Sequence, residues 1–298
     1  MAHRLGRVNL MSDIPLVLYH DACKDGFGAA WAHHASGSPA EYIAIQHGTA
    51  APLDLLRGRV VVMIDFCFKR PEMVEVFQAC KSLTVLDHHQ TAAEEMGWIP
   101  RAEGPAERPF AEEYGGSIIF DMQRSGAGLT WDVFNKGKPR PWLIDYVEDR
   151  DLWRNALPDS REMNAYISTL AFDFEVWDAA ARERPTSDFL ATYGRAVMAK
   201  TYQYVREVSK NACRVRFEGY DVPIVNAPQF DISELLNYLA TNEPFSMGWW
   251  QLADKRFKYS LRVKNSGLDV SRFAQKWGGG GHPAAAGFEA DSPIHLTW

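Results

Sequence analysis

The sequence predicts an α/β fold in which a parallel-sheet N-terminal domain is joined by a long helical connector to a smaller α+β C-terminal domain. Three observations lead to this prediction. Short apolar runs alternate with helical segments in the first ninety residues. The segment 187–212 has no proline, and no glycine after Gly194, so it predicts one long helix. Strand-like runs dominate beyond it. The predicted boundaries are 13–185, 186–212 and 213–298.

The elements follow from apolar runs bounded by turn residues. In the first domain the predicted strands are 14–19, 41–46, 59–65 and 83–86. The predicted helices there are 27–32, 72–80, 112–124 and 141–147, a helical region 161–184 follows, and a surface loop is predicted at 97–108. In the last domain the predicted strands are 213–217, 222–226, 245–253 and 256–263, and the predicted helices are 233–240 and 267–277.

Composition excludes several classes of function. The 298 residues are 46% hydrophobic and 23% charged, which is typical of one large or two smaller globular domains. No apolar run reaches the roughly 18 residues that a membrane span needs. The first ten residues predict a disordered leader or an early start codon rather than a signal peptide. A net charge of −6 argues against wrapping long duplex nucleic acid. Four dispersed cysteines predict a reducing, cytoplasmic location.

Polar clusters follow three of the predicted strands. The first strand runs into His20–Asp25, the third ends at Asp65, and the fourth ends in Asp87-His88-His89. The carboxyl ends of parallel strands share one edge of a sheet, so these groups are expected to meet there. Oxygen and imidazole donors favour a pair of Mn²⁺ or Mg²⁺ ions. Each cluster alone also has a structural explanation, because Asp25 can cap the next helix and a strand can simply end in polar residues.

Two further motifs stand out by composition: one is rich in acidic residues and the other is rich in glycine. The acids in Glu148-Asp149-Arg150-Asp151 follow a predicted helix, where negative charge opposes the helix dipole, so metal ligation or a solvated turn would explain them. Four glycines precede His282 in the run 278–288, a pattern typical of an anion-binding nest, although a flexible linker has the same composition. Arg262 is a candidate partner for the same phosphate.

These motifs, in this order, resemble the DHH phosphoesterase superfamily with its DHH-associated C-terminal domain, and the branch of nano-RNases and cyclic-nucleotide phosphodiesterases in particular. The resemblance covers roughly Pro15 to Phe288. It implies a two-lobed enzyme that holds two divalent ions, foremost Mn²⁺, with Mg²⁺ or Co²⁺ as substitutes.

The resemblance also implies roles for individual residues. The catalytic residues would be Asp87, His88 and His89, with His89 facing the scissile phosphate. The metal ligands would be His20, Asp21, Cys23, Asp25, Asp65, His88 and either Asp151 or Asp149. Substrate would be held by Arg262, Gly279, Gly280, Gly281 and His282.

One position departs from the family pattern. The first motif reads Asp21-Ala22-Cys23-Lys24-Asp25-Gly26, with cysteine where a liganding aspartate is expected. A thiolate favours softer metals than Mn²⁺. Whether Cys23 is a ligand, or His20 or Asp21 replaces it, stays open at this point.

The expected function is metal-dependent hydrolysis of short oligonucleotides or small, including cyclic, nucleotides by water that two metals activate. Three alternatives stay open. These are a phosphomonoesterase or pyrophosphatase, a catalytically inactive nucleotide sensor, and a single-stranded nucleic-acid binding module, which the negative charge disfavours. The sequence leaves open the substrate, the polarity of cleavage and the oligomeric state, a homodimer included.

Overall fold

The computed structural model describes residues 14–46, 48–97 and 116–294. The chain divides into two compact units, each taken as far as the structure describes it. The first holds Met1–His88, Ala92–Ser160 and Ile167–Pro185, and the second holds His89–Thr91, Arg161–Tyr166 and Thr186–Trp298. The predicted leader, His47 in the second turn and residues 98–108 of the predicted loop lie outside the described residues.

The first unit contains a parallel five-stranded sheet in the order β2-β1-β3-β4-β5. Leu16 and Leu18 of β1 face one apolar cluster and Val17 faces another, so both faces of the sheet are covered. Strand order reverses direction between β1 and β3, and parallel sheets bind ligands outside the carboxyl ends of the strands at such a switch point. The strands are β1 Leu16–His20, β2 Glu41–Ile45, β3 Val60–Ile64, β4 Ser82–Asp87 and β5 Ser117–Phe120.

Helices cover both faces of this sheet. Met73 and Val76 of α3 pack with Leu16 on one face, whereas Ala29 of α1 and Leu129 of α5 pack with Val17 on the other. The helices with most or all of their residues in this unit are α1 Lys24–His34, α2 Leu53–Leu56, α3 Arg70–Ala79, α4 Gln90–Glu95, α5 Gly126–Phe134, α6 Trp142–Asp151 and α8 Phe174–Arg182. Helix α7, Ser160–Ile167, lies between α6 and α8 in the sequence and is divided between the two units.

The second unit begins with a long helical segment that contains one π turn, Leu190–Gly194, and ends in a mixed sheet. Its strands have the order β10-β11-β9-β8-β7-β6, and only the β7–β8 pair is parallel. The strands are β6 Cys213–Phe217, β7 Tyr220–Asn226, β8 Ser246–Gln251, β9 Phe257–Arg262, β10 Gly280–His282 and β11 Ala285–Ala290. The helices are α9 Ser187–Phe189, α10 Arg195–Val208, α11 Ile232–Leu239 and α12 Val270–Lys276.

The predicted α/β fold with its α+β second part is confirmed. The helix predicted at 112–124 is wrong over its described part, because Ser117–Phe120 is the edge strand β5. Its residues are apolar and partly β-branched, which suits a strand, and its backbone pairs with β4. Just before it, Gly116 lies so close to Phe77 that a Cβ would fall 2.1 Å from the ring. The sequence interpretation also missed α5.

Within the described residues, no helix has the length and apolar character to cross a bilayer. The boundaries predicted for the two domains and the connector remain predictions.

Candidate metal centre

The candidate site lies where the central strands of the first unit end. His20 is the last residue of β1, Asp65 directly follows β3, and His88 directly follows β4. Strand β3 pairs with both β1 and β4, so the three side chains leave neighbouring strands at one edge of the sheet. The fold therefore brings together residues that are 68 positions apart at most.

A first group of potential ligands consists of His20, Cys23 and Asp65. One ligand atom from each lies within 4.8 Å of the other two. His20 Nδ1 and Asp65 Oδ2 are 3.4 Å apart. Two ligands of one tetrahedral ion with bonds of about 2.1 Å lie roughly 3.4 Å apart, so this spacing suits a shared cation.

A second group consists of Asp25, His88 and Asp151, and it meets the same distance criterion. His88 Nε2 lies 3.4 Å from Asp25 Oδ2 and 3.6 Å from Asp151 Oδ2. Asp25 and His88 are buried, whereas the side chain of Asp151 is partly exposed. Two carboxylates and an imidazole form a harder donor set than the first group.

Asp65 connects the two groups. Its Oδ2 faces His20 of the first group, and its Oδ1 lies 3.1 Å from Nε2 of His88 in the second. The backbone of Asp65 is left-handed, with a φ of +62°, which is unfavourable for most residues other than glycine and recurs at functional sites. The chain thus holds a strained aspartate where it can offer one oxygen to each of two cations.

Helix α5 fixes the position of Asp25. The backbone amides of Gly126 and Ala127, in its first turn, donate to the two carboxylate oxygens of Asp25 at 2.6 and 2.9 Å. Such bonds use the unpaired amides of a helix N-terminus. Ser125, the N-cap, accepts a hydrogen bond from the Gly128 amide at 3.2 Å. The sequence interpretation missed this contribution, because two glycines in the first three positions argue against a helix, although Ser125 is a valid capping signal.

The electrostatics of the site are those of crowded like charges. Burial raises the pKa of Asp25 well above its ordinary range, and the carboxylates of Asp65 and Asp151 raise it further. Burial alone also raises the pKa of Asp65, but hydrogen bonds from His20 and His88 outweigh it and hold the pKa well below the ordinary range. Buried carboxylates whose negative charges repel one another favour the binding of divalent cations, so the donor set fits a pair of divalent ions.

These shifts predict how metal-free protein responds to pH. Burial lowers the pKa of His88, but the hydrogen bond from Asp65 and the charges of Asp151 and Asp25 raise it well above its ordinary 6.5. A raised pKa in the folded state stabilises the fold at lower pH, and this contribution is lost as pH rises from 6.5 through the folded value. We expect the free energy of unfolding in chelator to fall over that window, by at most about 1.4 kcal/mol per pH unit for this group.

Urea denaturation between pH 6 and pH 9 measures this dependence. The matched control is His88→Gln, which keeps a polar group near the Nε2 position but has no proton to lose. Its slope should be flatter than that of the wild type, and equal slopes would contradict the prediction. Added Mn²⁺ should stabilise the wild type most at the alkaline end, where the imidazole is neutral and free to bind metal.

A buried ion-pair network supports the start of α5. Glu148 Oε2 accepts from the amide of Ser125 at 3.1 Å, and its Oε1 accepts from Arg140 Nη1 at 3.0 Å. Arg140 in turn pairs with Asp132, on α5 itself, at 2.6 Å. Gly128 completes the fit, because a Cβ there would lie 2.0 Å from Glu148 Oε2. Glu148 therefore links α6 to the helix end that holds Asp25.

We expect Glu148→Gln to destabilise the protein by about 1–3 kcal/mol, because it removes the charged acceptor shared by the Ser125 amide and Arg140, although Arg140 keeps its pair with Asp132. Urea denaturation measures the change. The control is Asp145→Asn, since Asp145 is 45% exposed and lies 4.0 Å from the same Arg140. That change should cost less than about 0.5 kcal/mol. Similar losses for both variants would contradict the role given to Glu148.

The other predicted residues of the first unit lie around these groups. Of the two alternative acids, Asp151 is in the second group, whereas Asp149 accepts hydrogen bonds from the Ala156 amide at 2.9 Å and from the Ser160 hydroxyl. Asp21 is turned away and accepts from Gln46 Nε2 at 3.0 Å. Asp87 is fully buried and accepts from the His88 amide at 2.7 Å, so it fixes the chain where His88 begins.

In the second unit the glycine run forms a β-hairpin strand. Gly280–His282 pairs antiparallel with β11, and a Cβ on Gly279 or Gly281 would lie 2.0 or 2.6 Å from a carbonyl oxygen of β11. Glycine is therefore required here by close backbone approach, which the prediction of an anion nest had not included. The Gly281 amide donates to Thr91 Oγ1 at 2.9 Å.

His282 and Arg262 also belong to this part of the second unit. The ring of His282 is stacked on that of His89, with centroids 4.8 Å apart. Arg262 donates to the hydroxyls of Ser260 and Ser233, each at 2.9 Å, and these partners carry no charge.

Two solved structures resemble this chain in fold. No family model matches the chain. A solved structure, an exopolyphosphatase-related protein from Bacteroides fragilis, has a TM-score of 0.51 at 13% identity, and the match covers 95% of this chain and 88% of that one. RecJ from Thermus thermophilus in complex with Mn²⁺ matches with a TM-score of 0.48 at 14% identity, over 94% of this chain and 50% of that one.

The predicted resemblance is confirmed at the level of the fold, which the chain shares with the exopolyphosphatase-related protein. The uncharacterized protein R106 of Acanthamoeba polyphaga mimivirus is 31% identical over 299 residues, which cover 92% of this chain and 67% of that protein. The chain belongs to the family of protein R106.

Proposed function

We propose that the protein is a divalent-metal-dependent phosphodiesterase that hydrolyses short oligonucleotides or small, including cyclic, nucleotides. The observation that carries this proposal is the pair of ligand groups that share Asp65. A two-metal site for phosphoryl transfer requires one bridging carboxylate and a separate ligand set for each ion. The folds that the comparisons identify are consistent with phosphoesterase chemistry.

Two cations held by these groups would supply an activated water and stabilise the charge on the phosphoryl oxygens. His20, Cys23 and Asp65 would hold one of them, and Asp25, His88, Asp151 and the second oxygen of Asp65 would hold the other. Mn²⁺ is the ion proposed first, with Mg²⁺ or Co²⁺ as substitutes.

Among these ligands, Asp25 accepts two amide hydrogen bonds that fix the position of its carboxylate. Other residues are proposed to bind and orient the substrate. His89 is proposed to face the scissile phosphate and to donate a hydrogen bond to its oxygens as negative charge develops. Arg262, His282 and the neighbouring glycines are proposed to bind the phosphate or nucleotide end of the substrate.

Two alternative functions are each favoured by one observation. The exopolyphosphatase-related match favours a phosphomonoesterase or pyrophosphatase that uses the same cations. Cys23, in place of the expected aspartate, favours a nucleotide sensor without catalysis. The net charge of −6 disfavours binding to long nucleic acids in either case.

A substrate panel with added Mn²⁺ separates these functions. It holds a dinucleotide, a labelled five-mer, cyclic mononucleotides, cyclic dinucleotides, a 3′-phosphoadenosine phosphate and pyrophosphate. We expect chelator-sensitive cleavage of the dinucleotide or a cyclic nucleotide. Preferred cleavage of pyrophosphate would establish the second function instead. Nucleotide binding without turnover under every divalent metal would identify a sensor.

A further inference from the structure

The two ligand groups differ in the softness of their donors. The first contains one sulfur, one nitrogen and one oxygen donor, and the second contains only nitrogen and oxygen donors. Thiolates select Zn²⁺ and similar borderline cations, whereas carboxylates suit Mn²⁺ and Mg²⁺. A pair of identical ions would therefore leave one of the two positions poorly matched.

Cys23 lies at the start of α1 and within reach of the first group. It is the N-cap residue of α1, a position where Ser, Thr, Asp or Asn normally accepts a hydrogen bond from the helix. Its backbone oxygen accepts from the Phe27 amide at 2.9 Å, and the Gly26 amide donates to its thiol. A thiol is a weak acceptor, so cysteine caps the helix less well than those residues, while its sulfur lies within 4.8 Å of donor atoms of His20 and Asp65.

The number of donors is compatible with zinc-like coordination. Catalytic zinc sites have three protein ligands and leave a fourth tetrahedral position for water or substrate. The first group offers three, one each from His20, Cys23 and Asp65. The 3.4 Å between His20 Nδ1 and Asp65 Oδ2 suits a small tetrahedral ion, but the second group has the same number of donors and the same separation between His88 Nε2 and Asp25 Oδ2, so the sulfur donor alone distinguishes the two positions.

We propose that the centre is heterobimetallic: the His20–Cys23–Asp65 position takes Zn²⁺ or Co²⁺, and the Asp25–His88–Asp151 position takes Mn²⁺ or Mg²⁺. The inference rests on the proposed two-metal function and refines it. The resemblance implies Mn²⁺ at both positions, whereas this assignment places Mn²⁺ or Mg²⁺ at only one of them.

Cobalt absorption tests the sulfur ligand directly. Full-length protein is stripped of metal with chelator and titrated anaerobically with Co²⁺, since a thiolate bound to Co²⁺ gives a near-ultraviolet charge-transfer band. We expect the band to saturate at one Co²⁺ per chain and to disappear in Cys23→Ser. The matched control is Cys67→Ser, which alters another partly buried cysteine close in sequence to Asp65 and should keep the band.

Metal competition tests the difference between the positions. With one equivalent of Zn²⁺ present, wild-type protein should bind one Mn²⁺, counted by electron paramagnetic resonance. Cys23→Asp restores the family pattern and should lower the preference for Zn²⁺ over Mn²⁺ at the first position by about tenfold or more. It should then bind two Mn²⁺ ions when Zn²⁺ is absent.

The outcomes separate this inference from the function on which it rests. Two bound Co²⁺ ions without a charge-transfer band, or a band that survives in Cys23→Ser, would overturn the heterobimetallic centre even if Mn²⁺-loaded protein still cleaved nucleotides. Binding of one ion of each kind without turnover of any substrate would support the centre while contradicting the hydrolase.

Discussion

Asp65→Asn is expected to reduce Mn²⁺-supported hydrolysis by at least about a thousandfold, equivalent to roughly 4 kcal/mol of transition-state stabilisation. The reason is that one carboxylate faces both ligand groups, with Oδ2 toward His20 and Oδ1 toward His88. An amide retains a weaker oxygen donor on one side and presents an N–H group on the other. Both cations should therefore bind less tightly.

The asparagine substitution is chosen because of the backbone at this position. Asp65 has a φ of +62°, and asparagine tolerates the left-handed region better than alanine does. Asp65→Ala would combine loss of the ligand with added backbone strain. Circular dichroism of Asp65→Asn should match that of the wild type, which separates a defect in metal binding from a defect in folding.

The test of Asp65→Asn measures both turnover and the number of bound metal ions. Hydrolysis of the best substrate in the panel gives the rate, and equilibrium dialysis gives the number of Mn²⁺ ions bound. Asp54→Asn is the control, because Asp54 lies in the first turn of α2, is exposed and is outside both groups. Retention of more than a third of wild-type turnover in Asp65→Asn would refute the shared-carboxylate arrangement.

The sequence allowed the sheet and the strand-end residues to be predicted because both depend on local pattern. Apolar runs of four to six residues identified β1, β3 and β4, and their polar ends were visible as His20, Asp65 and His88. Parallel topology alone then required the three ends to share an edge. The distances among them were not predictable, since they depend on side-chain rotamers.

What the sequence did not reveal depends on long-range packing. Helix α5 begins with glycines that disfavour a helix, yet its first amides hold Asp25, which is about 100 positions earlier in the chain. The choice between Asp149 and Asp151 was likewise open, because only the fold shows that Asp149 is used by the loop that follows α6. Spacing in the sequence carries no signal for either fact.

The start of α5 therefore offers a sharp test of how the scaffold positions the ligands. A Cβ on Gly126 would lie 2.5 Å from both Cβ and Oδ1 of Asp65, closer than real Cβ atoms approach other atoms. In Gly126→Ala either the helix or Asp65 must move. Movement of the helix breaks the amide bonds to Asp25, and movement of Asp65 withdraws the shared carboxylate. The second ligand group is affected in either case, and the first is affected as well if Asp65 moves.

We expect Gly126→Ala to weaken Mn²⁺ binding by about tenfold to a hundredfold, the range seen when the groups that orient metal ligands are changed. Overpacking should also destabilise the fold by about 1–3 kcal/mol. Calorimetric titration with Mn²⁺ and urea denaturation measure the two effects separately. A fall in stability with unchanged affinity would show that the neighbouring structure absorbs the added methyl group without moving a ligand.

Gly28→Ala is the matched control, because it adds a methyl group where α1 packs on α5 without contacting a ligand. A Cβ there would lie 3.0 Å from the Cβ of Ala127 and 3.4 Å from the ring of Trp177. Crowding opposes the gain of about 1 kcal/mol that alanine brings inside a helix, so the change in stability should be small. Its Mn²⁺ affinity should equal that of the wild type. Equal loss of affinity in both variants would mean that tight packing of α1 on α5, rather than the contact between Gly126 and Asp65, maintains the site.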